Sequence, residues 1–133
     1  MTQHATSTFE VKRWDEHTLN DVDGQLKMTR ASVAFAYHGG LEAESAMEYL
    51  MLYRSDSSAT AIGLERISGR LDGKSGSFAV ESRGGYEDGT ATGEFTVIPG
   101  SGTGELANIR GHGKAVSGMD GTTSFTLDYD LSG

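Results

Sequence analysis

The chain has 133 residues, 11 Lys and Arg against 19 Asp and Glu for a formal net charge of −8, and it holds 19 glycines, one proline and no cysteine. That length fits one domain, 1–133, and a hydrophobic fraction of 36% is enough for a single core. The missing cysteines exclude disulfides, thiolate zinc sites and thiol catalysis, and the acidic balance argues against a nucleic-acid backbone or an anionic membrane as partner.

No apolar run occurs between Met1 and Leu19, so no secretory signal is read and a cytoplasmic protein is the expectation. The most apolar stretch, Ala46–Tyr53, includes Glu48 and falls far short of the ~20 residues of a membrane-spanning helix. Thr8–Lys12 opens a period-two alternation that turns Phe9 and Val11 toward a core and Glu10 and Lys12 toward water. Residues 18–25 read as a loose connection. Leu41–Arg54 is ambiguous. It is rich in helix formers, and Ala43, Ala46, Met47 and Leu50 fall at helical spacing, which favours a helix. Leu41, Ala43, Met47, Tyr49, Met51 and Tyr53 also share one strand face, with Glu42, Glu44 and Glu48 on the other.

From Ile62 to Leu131 the chain reads as a meander of antiparallel hairpins. Alternation sends Gly63, Glu65, Ile67, Gly69 and Leu71 inward, with Arg66, Ser68 and Arg70 outward. Phe78, Val80 and Ser82 point in, as do Ala91, Gly93, Phe95 and Val97, and then Phe125, Leu127, Tyr129 and Leu131. Asp-Gly pairs at 23–24, 72–73, 88–89 and 120–121 predict type I′ turns, whose positive φ angles glycine adopts without a Cβ clash.

Familiar motifs fail on spacing. Pro99–Glu105 is glycine-rich, but a dinucleotide fingerprint needs a third glycine where Glu105 stands, and no Lys-Ser or Lys-Thr pair completes a phosphate loop. His4, His17, His38 and His112 share no ligand spacing, so neither metal nor cofactor is expected. Glu65 is the one acid on an apolar face. Burial raises a carboxyl pKa and equips it for acid/base work, although a structural hydrogen bond is the commoner reason to bury one. Tyr49, Tyr53, Ser82, Tyr86, Phe95 and Tyr129 are the candidate ligand-binding residues that would share an interior with it, and Ser45 would add a hydroxyl. Leu50 and Leu52, beside Ile62 and Leu64, would face outward from a strand and suggest a homo-oligomer contact.

Thr6–Glu16 (TSTFEVKRWDE), Leu26–Val33 (LKMTRASV), Glu48–Tyr53 (EYLMLY), Gly63–Arg66 (GLER), Gly69–Phe78 (GRLDGKSGSF), Val97–Leu106 (VIPGSGTGEL) and Ser124–Leu131 (SFTLDYDL) resemble, in order, a bacterial family catalogued as domain of unknown function 3224. The resemblance spans nearly the whole chain. It implies an all-β fold, a small closed antiparallel β-barrel of about eight strands similar to allene oxide cyclase and other calycin-like barrels, with Leu41–Arg54 a strand. It implies no established activity. Members often carry histidine where this chain has Ser82, so a family reaction that used that histidine is missing here.

Three functions compete on these grounds. The favoured one is a module that binds a small, largely apolar ligand inside the barrel. The second is a cofactor-independent cyclase or isomerase with Glu65 as acid/base. The third is an assembly protein with a filled barrel. An interior cavity of roughly 300 Å³ or more beside Glu65 separates the first two from the third.

Overall fold

A computed structural model describes residues 2–20 and 26–131. Eight strands run in chain order: β1 (Gln3–Asn20), β2 (Lys27–Gly39), β3 (Leu41–Ser55), β4 (Ser58–Leu71), β5 (Lys74–Glu87), β6 (Thr90–Val97), β7 (Arg110–Ser117) and β8 (Thr123–Asp130). Each pairs antiparallel with its neighbours in sequence, and β1 pairs with β8 to close the barrel. The only helical piece among the described residues is a 3₁₀ turn, Gly104–Leu106, so no helix is long and apolar enough to cross a membrane.

Leu41–Arg54 is strand, which corrects the helix that its propensities favour. The segment is laddered on both sides, from Lys27↔Tyr53 to Tyr37↔Ala43 with β2 and from Leu41↔Leu71 to Tyr53↔Ala59 with β4. A central strand also buries Leu41, Ser45, Met47 and Met51 inward, so tertiary pairing overrides helix propensity. Its other face carries exposed Leu50 beside exposed Ile62 and Leu64 of β4.

Two of the Asp-Gly pairs form the expected turns: Asp72-Gly73 (φ 49° and 87°) and Asp88-Gly89 (φ 48° and 92°) each join two strands through two residues of positive φ. Asp120-Gly121 instead sits in a longer connection, where the Asp120 carboxylate accepts hydrogen bonds from the amide and hydroxyl of Thr122. Asp23-Gly24 lies outside the described residues. Thr18, Leu19 and Asn20, read from sequence as loop, belong to β1.

Two strands overhang their partners. β5 pairs with β6 only from Val80 onward. Its earlier backbone groups are served by the 98–109 connection, where Ser101 accepts from the Ala79 amide, Thr103 from Ser77 and Glu105 from Ser75. The glycine-rich run of that connection is thus a structural cover, and Leu106 and Ile109 plug the interior beneath it. β1 pairs with β8 only over Gln3–Ser7, and Thr123 then closes the ladder by bonding both the amide and the carbonyl of Phe9. Beyond Phe9, β1 pairs among the described residues with β2 alone.

A bulge at Lys12 shifts the β1 register between Val11 and Arg13. Strict alternation from Phe9 would turn Arg13 and Asp15 inward. The extra residue puts Trp14 opposite Val33 and Glu16 opposite Ala31 instead, so Trp14 and Glu16 take the inner face.

The interior is filled at one end and thinly filled at the other. Leu41, Ile67, Leu71, Phe78, Val80, Val97, Leu127 and Tyr129 pack the end that carries the 72–73 turn. Toward the opposite end, the inward positions of β4–β7 hold Ala61, Gly84, Ala91, Gly93 and Ala115.

The packed end should carry the stability. Leu127→Ala, at a site with no exposure, is expected to lower the unfolding free energy by about 2–5 kcal/mol in urea titrations. Leu64→Ala, 59% exposed on the outer face, should change it by less than about 0.5 kcal/mol.

Candidate functional site

The small residues leave a cavity of about 500 Å³ inside the barrel. Aromatic rings dominate its wall: Phe9 and Trp14 from β1, Phe35 and Tyr37 from β2, Tyr49 and Tyr53 from β3, Tyr86 from β5, Phe95 from β6 and Phe125 from β8. Phe95 stacks on Phe125 with ring centroids 4.9 Å apart, and Tyr37 meets Phe125 edge-on at 4.8 Å, which fixes the rings where the packed core gives way to the cavity. At the other end Trp14 stacks on Tyr49 at 6.1 Å. Trp14 is 44% exposed and Val11, also in the wall, 51%, so the cavity opens to solvent beside the overhanging part of β1. Val11 therefore faces inward as the alternation expected, but at the mouth and not in the core.

Glu65 sits in the wall at the boundary with the packed core and is only 7% exposed. β4 aims it inward opposite Met47 of β3 and Val80 of β5. Ser45, its diagonal neighbour on β3, donates to Glu65 Oε2 at 2.6 Å. Tyr37 reaches from β2 past the small Ala43 and Ser45 and donates to the same Oε2. Both donors thus converge on one oxygen. Oε1 takes no hydrogen bond from a described residue, yet no polar side-chain atom among the described residues is both sealed off and unpartnered, so Oε1 faces the cavity.

Burial pushes the Glu65 pKa up; the hydrogen bonds from Ser45 and Tyr37 oppose it without cancelling it. Burial, and then the nearby Glu65 charge, raise both Tyr37 and Tyr49, so these phenols stay protonated through the neutral range.

A second carboxyl, Glu16, has the contrary setting. It is exposed on the inner side of the β1 overhang. Trp14 Nε1 donates to its Oε1 at 2.9 Å, and Thr29 and Tyr53 donate to its Oε2 at 2.6 and 2.5 Å. Burial raises its pKa in part, but these donors outweigh that and hold it below the usual value. Tyr53 is pushed up to about 12 by burial and by its bond to Glu16.

Of the residues that the sequence nominated, Glu65, Tyr49, Tyr53, Ser82, Tyr86 and Phe95 all stand in the cavity wall. Tyr129 does not. It is buried at the packed end, where its hydroxyl donates to the Asp72 carboxylate and lies 3.1 Å from the Gln3 side-chain amide, so it ties the 72–73 turn to the start of β1. Tyr37, Trp14 and Glu16 escaped the sequence reading. Tyr37 was accessible to it, because Val33, Phe35 and Tyr37 alternate with Ser32, Ala34 and Ala36 in the manner of the strands that were recognised. Trp14 and Glu16 needed the bulge, for which the pair Lys12-Arg13 between apolar Val11 and Trp14 is the one clue.

Among the described residues no histidine, lysine or arginine stands in the cavity wall. No three His, Asp or Glu among the described residues are placed to hold a metal ion. His4 pairs with Asp128 at 2.5 Å on the outer surface, and His38 lies 3.5 and 3.6 Å from Glu10 and Glu42.

Residues 5–129 match the family described as "Protein of unknown function (DUF3224)". The chain belongs to the DUF3224 family. The barrel superposes on the crystal structure of a DUF3224 protein of unknown function from Shewanella oneidensis with a TM-score of 0.80, at 24% identity and 100% coverage of both chains. No curated protein matches the chain. The match and the barrel agree with the family and the all-β fold that the sequence motifs implied, and DUF3224 membership itself brings no activity. The filled interior required by the assembly reading is not what this DUF3224 chain has.

The state of Glu65 should appear in the pH dependence of stability. A carboxyl whose pKa is raised on folding contributes stability that is full below its ordinary value of 4.5 and is lost as pH rises through the raised one. Glu65→Gln removes that loss. The variant's unfolding free energy minus that of the wild type should therefore grow as pH climbs above the ordinary carboxylate range in urea titrations. The Glu16 term has the opposite sign, fading as pH falls, and drops out of the difference because both proteins contain it.

Proposed function

We propose that the protein binds a small, mostly apolar molecule in the open end of its barrel. The observation that carries this reading is the cavity of about 500 Å³, walled by aromatic rings and entered beside Trp14 and Val11. That volume falls within the range of small-molecule sites, and an apolar wall with few polar groups is their usual composition. An eight-stranded barrel is about the size at which side chains either fill the interior or leave room for one ligand, and the run of alanine and glycine in β4–β7 favours the second outcome. Glu65, Ser45 and Tyr37 supply the polar points that orient a guest.

A second reading, an isomerase or cyclase without a cofactor, draws on one specific feature. The Glu65 carboxyl has one oxygen turned to the cavity and a raised pKa, as an acid/base group operating near neutrality requires. It shares the cavity with the first reading and differs at Glu65 alone.

Cavity-filling variants test the binding reading. A Cβ at Gly93 would meet only Ser82 Oγ, at 3.4 Å, so a larger side chain can extend into the cavity without moving backbone. Wild-type protein should enhance the fluorescence of the neutral dye N-phenylnaphthylamine. Gly93→Leu and Ala115→Phe should remove most of that enhancement while circular dichroism stays unchanged. Equal enhancement by wild type and filled variants would place the dye elsewhere and defeat the proposal.

A further inference from the structure

The binding reading leaves open what chemistry the guest carries, and the way Glu65 is held narrows it. Resting on that reading, we infer that Glu65 presents a neutral carboxylic acid to the cavity, with its proton on Oε1, and that the ligand is an uncharged apolar molecule bearing a carbonyl-type oxygen to accept it.

A protonated carboxyl has one carbonyl oxygen with two acceptor sites and one hydroxyl that donates. Glu65 Oε2 accepts two hydrogen bonds, from Tyr37 and Ser45, which is the full capacity of a carbonyl oxygen. Oε1 receives no donor from a described residue and faces the cavity. A proton on Oε1 completes the set. An ionised group here would instead leave charge on an oxygen with neither a protein donor nor a cation beside it, which is the costly case for a buried carboxylate.

Glu16 is the internal control. Its three donors are spread over both oxygens, as suits a carboxylate. One chain therefore turns two acids to the inner face of its barrel and dresses them in opposite ways, one as an anion at the mouth and one as an acid at the base of the cavity.

The groups that face Glu65 do not supply a counter-charge. β2 contributes Tyr37, β3 contributes Tyr49, Ser45 and Met47, β5 contributes Val80 and Ser82, and Phe95 and Phe125 stand on β6 and β8. Apart from the acid Asp56, the titratable residues of the remaining wall are tyrosines. Among the described residues an anionic ligand finds no cation in the wall beside Glu65; Lys27 lies over the Tyr53 ring at the mouth, next to Glu16. A cationic amine would have to deprotonate Glu65 first. A ketone, ester or amide oxygen meets the O–H directly and leaves its apolar remainder against the aromatic wall.

A matched trio of naphthalene probes tests this on the full chain: acetylnaphthalene, the hydrocarbon ethylnaphthalene, and naphthylethylamine as the cation. Near neutral pH the wild type should bind the ketone roughly fivefold to tenfold tighter than the hydrocarbon, and the amine no tighter than the hydrocarbon. Infrared spectra of the bound ketone should show its carbonyl stretch lowered by a hydrogen bond. Spectra of the free protein should show a protonated-carboxyl band that Glu65→Gln lacks.

The Gln variant sharpens the test. Its amide oxygen accepts from Tyr37 and Ser45 while its NH₂ donates into the cavity, so it imitates the neutral acid. It should keep the ketone preference within about twofold. Raising the pH should erode the preference in the wild type and leave it unchanged in Glu65→Gln. An amine preference in the wild type that disappears in Glu65→Gln would overturn the inference by making Glu65 an ionised counter-charge. Equal binding of ketone and hydrocarbon would overturn it while leaving the binding reading intact. Failure of the wild type to bind any of the three probes would sink the binding reading and the ligand class together.

Discussion

The short ladder between Gln3–Ser7 of β1 and Phe125–Tyr129 of β8 is the constraint from which the rest of the structure follows. Without it the sheet is an open ribbon whose inner face has nothing to pack against. With it, eight strands enclose one interior, and every inward residue is committed to core or to cavity. Thr123 terminates this seam by bonding both backbone groups of Phe9. Tyr129 anchors its other end by joining Gln3 to Asp72. The tyrosine is thus a closure residue, and its hydroxyl serves the fold.

Closure at one end alone makes the cavity. Large aliphatic and aromatic side chains occupy the end near the seam, and at the other most inward positions of β4–β7 are small, Ala61, Gly84, Ala91, Gly93 and Ala115, with Tyr86 among them. Glu65 stands where the two regimes meet. Its position explains why its surroundings are mixed: Val80 and the core lie on one side, and Tyr49 and open space on the other. A carboxyl one turn of the alternation deeper would be sealed in, and one nearer the mouth would be solvated like Glu16.

Much of this was legible in the sequence where side-chain periodicity was intact. The inward set from Gly63 to Leu71, with Glu65 as its one acid, follows from alternation alone and matches the register of β4 with β3 and β5. Leu41–Arg54 was not legible from its own residues. Its helix propensity is real, and only the ladders on both flanks decide against it. Trp14 and Glu16 lay behind a bulge, which inverts every face beyond it and leaves almost no local signature. Tyr129 shows the opposite limit. Alternation placed it inside correctly, but cannot say at which end of a barrel a residue lies. That depends on strand tilt and on which turn it meets.

The two overhangs bear on how copies of the chain behave toward one another. A strand that outruns its partner offers amides and carbonyls on which another chain's strand can align, the usual start of sheet-to-sheet polymerisation. The β5 overhang is blocked by its own downstream connection, through Ser101, Thr103 and Glu105. Among the described residues no strand covers the free side of the β1 overhang, but that stretch carries the charged Glu10, Lys12, Arg13, Asp15 and Glu16 around a kinked backbone. An incoming strand would have to desolvate charges of both signs and follow a bulge. The same bulge that turns Trp14 toward the cavity therefore also makes β1 a poor template for the addition of another strand.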